Sequence, residues 1–160
     1  MKNNYGIFLA MIATSIAAMF VMTYLNSWAF DHVFWSETRA YMVLFMGAVM
    51  AIIMLLYMLG MYTNKAINMA IIAGAVLVFG VSLWLVRSQT TVQDVAWMKA
   101  MIPHHSIAIL TSERADISDP RVRKLADEII QAQQLEIAEM KALITDLNGG
   151  PAATPEIDGK

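Results

Sequence analysis

Apolar residues dominate three long stretches in the first half of the chain, at about residues 5–25, 40–62 and 66–86. A helix that crosses a bilayer needs about 20 apolar residues, and each stretch meets this length. The pattern predicts three transmembrane helices, of which the last two are joined by a tight turn at residues 63–65. For the first stretch a cleaved signal peptide is the alternative, because Lys2 precedes it and residues 15–17 resemble a cleavage site.

After Arg87 the apolar positions recur with the spacing of amphipathic helices. One helix is predicted to begin after a cap at Thr90 or Thr91, with Asp94 in its first turn, and to run to about Ser112. Another is predicted from Pro120 to about Leu147. Two helices joined by a short turn predict a soluble, antiparallel helical hairpin. The chain is therefore expected to be all-α, with a membrane domain at residues 1–88, the hairpin at residues 89–148 and a disordered tail at residues 149–160.

The composition supports a membrane protein and excludes several classes of function. Hydrophobic residues make up 58% of the chain, above the ~45–50% that is usual for soluble domains. The net charge of −2 gives no basic surface for nucleic acid. Because cysteine is absent, disulfides, thiolate metal sites and a cysteine nucleophile are excluded.

Charge is distributed unequally between the two sides of the predicted membrane domain. Lys2 and Lys65 lie on one side, whereas every Asp and Glu falls in the 26–39 loop or the C-terminal part, on the other side. Arg39 and Arg87 also lie near the spans on that second side, so the count of basic residues is nearly balanced. The N-terminal amine tips the balance, and the hairpin is expected outside the membrane. His32 is interpreted as an interfacial histidine without a ligand role, and the aromatic residues of its loop are expected at the lipid–water interface: Trp28, Phe30, Phe34 and Trp35.

A two-helix hairpin buries little apolar surface and is expected to need a partner. The sequence leaves three candidates open: a second copy of the chain, the membrane helices or another membrane protein. Within the bilayer, small residues at four-residue spacing predict close packing of the spans. They are Ala10, Thr14 and Ala18 in the first span, Gly47 and Ala51 in the second, and Ala70 and Gly74 in the third.

Polar residues interrupt the apolar stripes of both hairpin helices. His105 lies on the first stripe with His104 at its flank, and Gln133 and Glu136 lie on the second. Thioethers are close in sequence, because Met98 and Met101 precede the histidines on the same helix. Imidazole with thioether suits copper, particularly Cu(I), and a carboxylate can orient a histidine ligand. The alternative is a metal-free network in which the histidine, amide and carboxylate satisfy one another.

The same region resembles a known family. A two-part pattern, Met-x-x-His-His followed by Gln-x-x-Glu-Ile-x-x-Met, falls here on Met101, His104, His105, Gln133, Glu136, Ile137 and Met140. In this pattern the chain resembles the domain of unknown function 305 family, over a region from about Asp94 to Leu147. The resemblance implies a ferritin-like helical fold, export or membrane anchoring in bacteria, and copper binding in some members.

For individual residues the resemblance implies a set of metal ligands: Met101, His104, His105 and Met140. It leaves Gln133 and Glu136 as motif positions of uncertain role. Many members have a further methionine six residues after the second histidine, and this chain has Thr111 there. The family's metal role is therefore an open question for this subgroup.

Taken together, these features predict a non-enzymatic, membrane-anchored protein that handles copper on the outer side of a bacterial inner membrane. No Glu-x-x-His pair is present to build a di-iron site, which argues against a ferritin-type enzyme. The expected partners are the lipid bilayer, a metal ion, and either a second copy or another membrane protein. The alternative function is a structural or accessory membrane subunit.

Overall fold

A computed structural model describes residues 5–152, and every regular element within them is helical. The five α-helices are α1 (Tyr5–Met22), α2 (Glu37–Tyr57), α3 (Lys65–Ser88), α4 (Asp94–Arg114) and α5 (Pro120–Leu147), and a 3-10 turn spans Phe30–His32. The predicted all-α class is confirmed for this part of the chain. Most of the predicted tail at residues 149–160 lies outside the described residues.

The contacts divide the described chain into two compact units. The first contains residues 5–23 and 37–92, and the second contains residues 24–36 and 93–152. The loop that joins the first two spans therefore belongs with the C-terminal helices, although it lies within the predicted membrane domain of residues 1–88.

The first unit contains three helices that are long and apolar enough to cross a membrane, namely α1, α2 and α3. The three predicted spans correspond to them, with boundaries that differ by a few residues. The turn before α3 is longer than predicted, because α2 ends at Tyr57. Helix α3 begins at Lys65, where the Asn64 side chain accepts hydrogen bonds from the amides of Ala66 and Ile67 at 3.0 and 3.2 Å.

Helix α2 forms the centre of the first unit, because both α1 and α3 pack against it. Phe8 and Ile12 of α1 are buried with Ala51 and Leu55 of α2. At Gly47 the two helices approach so closely that a Cβ atom would overlap the Ile16 side chain. Glycine is therefore required at this crossing.

The small-residue pattern predicts the packing of α2 but not that of α3. Gly47 and Ala51 are buried in the helix contacts, as expected. Ala70 and Gly74 remain exposed and line an apolar cleft of about 620 Å³ whose walls come from all three helices. Helix α1 uses the larger Phe8 and Ile12 at its contact, because its small residues Ala10 and Ala18 face outward.

A polar cluster joins the start of α1 to the connection between α2 and α3. The hydroxyl of Tyr5 donates to Asn68 Oδ1 at 2.9 Å and accepts from the backbone amide of Asn64 at 3.1 Å. The buried Asn68 in turn donates to the carbonyl of Tyr62 at 2.7 Å, and the Tyr5 and Tyr62 rings lie 4.9 Å apart. Each polar group in this apolar setting thus has a partner.

The second unit is built on α4 and α5, which pack against each other along an apolar core. The core contains Met98, Ile102 and Ile109 of α4 with Ile137, Met140 and Ile144 of α5. Helix α4 continues without interruption through the buried Pro103. Helix α5 begins as predicted, with Pro120 in its first turn and Asp119 accepting from the amide of Arg121 at 2.8 Å.

Replacement of Tyr5 by Phe is expected to destabilise the first unit. The change removes only the hydroxyl, so it leaves Asn68 Oδ1 and the Asn64 amide without their partner. A net loss of roughly 1–3 kcal/mol is expected, because two hydrogen bonds are lost. Denaturant unfolding of the detergent-solubilised protein, followed by circular dichroism, measures it. Tyr57→Phe is the matched control, because Tyr57 is 88% exposed, and equal effects of the two changes would contradict the prediction.

Candidate functional site

The predicted chemistry is centred on a contact between α4 and α5. His105 Nδ1 lies 2.9 Å from Glu136 Oε2, and the His105 side chain is only 15% exposed. The carboxylate is close but lies off the line of the ring N–H, so Nδ1 is buried without an aligned hydrogen bond. The histidine and the carboxylate are thus in contact, but His105 Nδ1 does not form a well-aligned hydrogen bond.

Burial sets the charge state of His105. Removal from water disfavours the imidazolium and lowers the pKa of His105, and the nearby His104 acts in the same direction. The Glu136 carboxylate opposes this effect but does not overcome it. His105 is therefore neutral at pH 7, which is the form that binds a metal ion.

The other predicted polar residues lie around this contact. Gln133 Nε2 donates to Glu136 Oε2 at 3.0 Å, so the amide and the histidine approach the same carboxylate oxygen. The ring of His104 is exposed, and its centroid lies 6.1 Å from that of His105. The structure thus brings together both histidines, Gln133 and Glu136.

The predicted thioether ligands have a different environment. Met98 and Met140 are buried in the core between α4 and α5, where they make apolar contacts. Met101 is half-buried at the edge of that core. Among residues 5–152, no group of three His, Cys, Asp or Glu side chains is placed to hold a metal ion. A metal bound here would therefore need a thioether, an amide or water beside the histidines.

Sequence reasoning missed a second polar contact on α4, one residue from His105. Ser106 is fully buried, and its Oγ accepts a hydrogen bond from the Trp28 backbone amide at 2.7 Å. His32 Nδ1 lies 3.0 Å from the same oxygen, and its ring stacks on that of Trp28 with centroids 5.8 Å apart. The serine hydroxyl therefore holds the 24–36 loop on α4.

Two further contacts extend this attachment to both helices. The Trp28 indole Nε1 donates to Glu113 Oε2 at 2.8 Å on α4, and Lys141 Nζ donates to Asp31 Oδ2 at 2.5 Å from α5. The hydrogen bond from Lys141 lowers the pKa of Asp31 and keeps it ionised. Burial lowers the pKa of His32, and the positive charge of Lys141 adds to the effect.

The loop contacts add to the sequence predictions. His32 is buried against Ser106, a contact that the sequence did not predict. Of the loop aromatics, Phe34 packs against the core of the helix pair and Trp28 bonds to α4, whereas Phe30 and Trp35 remain exposed. The sequence did carry a signal, because Pro103, Ser106 and Leu110 mark a second face of α4 at helical spacing.

The fold and the site define an all-helical protein with three candidate membrane spans and a charged helix pair that carries a histidine–carboxylate contact. The chain belongs to the family described as Domain of unknown function (DUF305), whose sequence model matches residues 85–156. The chain is 31% identical over 148 residues to an uncharacterized protein of Acanthamoeba polyphaga mimivirus. That alignment covers 90% of this chain and 94% of its viral relative, so it extends beyond residues 85–156 into the candidate membrane spans. No solved structure matches the chain.

Acidification is expected to destabilise the second unit through His105. The pKa of His105 is lowered in the folded state, whereas the unfolded chain takes up this proton near pH 6.5. Below about pH 6.5 the unfolded state therefore binds more protons, and stability falls as the pH falls towards the folded-state pKa.

Chemical unfolding of the wild type and of His105→Gln at about pH 7.5 and about pH 5.5 tests this, and the variant should lose less stability on acidification. His104→Gln makes the same change at the exposed neighbour. Because His104 accounts for only part of the lowered pKa of His105, this variant is expected to reduce the pH dependence less than His105→Gln does. An unchanged pH dependence in His105→Gln would contradict the assignment.

Proposed function

We propose that this protein is a non-enzymatic, membrane-anchored copper-binding protein, with Cu(I) held at the histidine-bearing flank of α4. The observation that carries the proposal is the buried His105 imidazole, neutral and in contact with Glu136 through Nδ1. A carboxylate on one ring nitrogen is the usual way in which proteins orient a histidine that binds metal through the other nitrogen.

The positions of the two imidazoles support a shared ion. A metal–nitrogen bond of about 2.0 Å places a ring centre about 3 Å from the metal, so two ligand rings have centres up to roughly 6 Å apart. The His104 and His105 centroids are 6.1 Å apart, at this upper limit, so a shared ion would require the exposed His104 ring to turn towards that of His105. When bound, Cu(I) would supply affinity for soft ligands, and Met101 is the nearest thioether in sequence that is not enclosed in the core.

In this proposal the remaining motif residues support the site. Glu136 orients His105, and Gln133 positions Glu136 through its hydrogen bond. Met98 and Met140 pack in the core and are not ligands of the metal in this proposal. Arg123 Nη2 donates to the Ser112 carbonyl at 2.9 Å, while His105 contacts Glu136, so α4 and α5 run in opposite directions. We infer from this an antiparallel hairpin that corresponds to half of a ferritin-like bundle.

The proposed location is the outer face of a plasma membrane, with the α4–α5 pair outside. The support is the charge distribution, since every Asp and Glu lies either in the 26–39 loop or after α3, while Lys65 lies at the start of α3. A bacterial inner membrane remains part of the proposal. The relative described above is viral, and its name says nothing about metal.

Anaerobic Cu(I) titration against a competing chelator tests the function. The full-length protein in detergent is the sample, because residues 24–36 belong to the second unit and would be missing from a C-terminal fragment. His104→Ala/His105→Ala is expected to lower the Cu(I) affinity at least 10-fold, a change of about 1.4 kcal/mol in binding free energy. Met101→Leu is expected to weaken binding less.

Met69→Leu is the matched methionine control, because Met69 is an exposed residue of α3 and belongs to the first unit rather than to the helix pair. Equal affinity of the wild type and the double histidine variant would exclude the copper site. Circular dichroism of each variant distinguishes loss of a ligand from loss of the fold.

A structural or accessory role is the second candidate, and exposed apolar side chains on the surface of the helix pair favour it. Leu125 and Leu135 of α5 and Trp97 of α4 are large apolar side chains that remain mostly exposed. In this alternative the contacts of Glu136 with His105 and Gln133 only fix the register of the helix pair, and the exposed side chains contact a second copy or another membrane protein.

Self-association distinguishes the partners. If a second copy covers this surface, the protein should be dimeric in detergent by light scattering after size exclusion, and Leu125→Glu should shift it towards monomer. Lys124→Glu is the control, since it introduces the same side chain at an exposed neighbouring position. A wild-type monomer that copurifies with no other protein would argue against the accessory role.

A further inference from the structure

The loop of residues 24–36 has two chemically different edges. Its polar edge, formed by Trp28, Asp31 and His32, makes the hydrogen bonds to α4 and α5. Three other side chains of the loop are apolar and remain uncovered, with Phe30 98% exposed, Leu25 78% exposed and Val33 partly exposed, and together they are called the apolar edge. One short segment thus binds the helix pair and presents hydrophobic side chains in another direction.

Lack of space in the core does not explain why these large side chains are exposed. Phe34 of the same loop packs against the core of the helix pair, so the loop is able to bury an aromatic ring there. Phe30 instead begins the 3-10 turn Phe30–His32, whose third residue is the buried His32. The turn that places His32 against Ser106 leaves Phe30 outside the core. Contact of this apolar ring with water is unfavourable.

Chain connectivity limits what can cover this edge. Helix α1 ends at Met22 and α2 begins at Glu37, and both are candidate membrane spans. An extended chain advances at most about 3.6 Å per residue, so Phe30 lies within roughly 30 Å of the ends of both spans. The loop is therefore tethered close to the bilayer surface at both of its ends.

Charge does not oppose contact with lipid. Asp31 is the one Asp, Glu, Lys or Arg residue in the 24–36 segment, and it is paired with Lys141 at 2.5 Å. The apolar edge itself carries no ionisable group. Aromatic and aliphatic side chains next to a span are the residues that favour the lipid–water interface.

We propose that the apolar edge of Leu25, Phe30 and Val33 inserts into the headgroup region of the phospholipid bilayer while the polar edge holds α4 and α5. The loop then contacts the membrane surface through one edge and the helix pair through the other. This inference does not depend on copper binding, because neither edge contains a proposed metal ligand.

The absence of cysteine allows a direct test by site-directed spin labelling of the full-length protein. Phe30→Cys carries the test label, and Val33→Cys repeats it on the same edge. Glu128→Cys on α5 is the water reference, and Leu77→Cys is the lipid reference, because Leu77 is an exposed residue of the candidate span α3. Each labelled protein is reconstituted into phosphatidylcholine vesicles, and collision rates with oxygen and with a water-soluble nickel chelate are measured.

The ratio of oxygen to nickel collisions at Phe30 and Val33 is expected to lie between the two references and several-fold above that of Glu128. A ratio equal to that of Glu128 would show that the edge is in water and would overturn the proposal. Labels protected from both reagents would also overturn it, because a protein partner rather than lipid would then cover the edge. The Phe30 label should not disturb the fold, since its side chain is almost fully exposed.

Discussion

The organisation of the second unit depends on one buried hydroxyl. Ser106 Oγ lies 2.7 Å from the Trp28 amide and 3.0 Å from His32 Nδ1, and no part of the serine is exposed. A buried hydroxyl without partners costs free energy, so these two contacts determine where the loop crosses α4. Because Ser106 directly follows His105, successive residues of α4 contact the loop on one side and α5 on the other.

This arrangement explains how two helices form a compact unit. The core between α4 and α5 is small, and Phe34 enlarges it from the loop side. The ion pair between Asp31 and Lys141 then connects the loop to α5, so that the loop contacts both helices. A segment of the same chain, from between the first two spans, thus covers part of the apolar surface of the helix pair.

The sequence predicted the helices well because their signals are local. Apolar length specified α1 to α3, and the Asp119–Pro120 start signal located the beginning of α5. The contacts of His105 with Glu136 followed from stripe periodicity on two adjacent helices. The Ser106–His32 contact joins positions 74 residues apart, and no local pattern relates them, so the sequence did not predict it.

The burial of two methionines limits which residues of the candidate site can bind a metal. Met98 and Met140 both belong to the apolar core, with 5% and 6% exposure. Withdrawing such a side chain to bind a metal would leave a cavity, and emptying a buried methionine position costs roughly 2–5 kcal/mol. A metal is therefore favoured at the flank of α4, where His104 is exposed and Met101 is half-buried. At that flank, binding requires rotation of surface side chains and leaves the core between α4 and α5 intact.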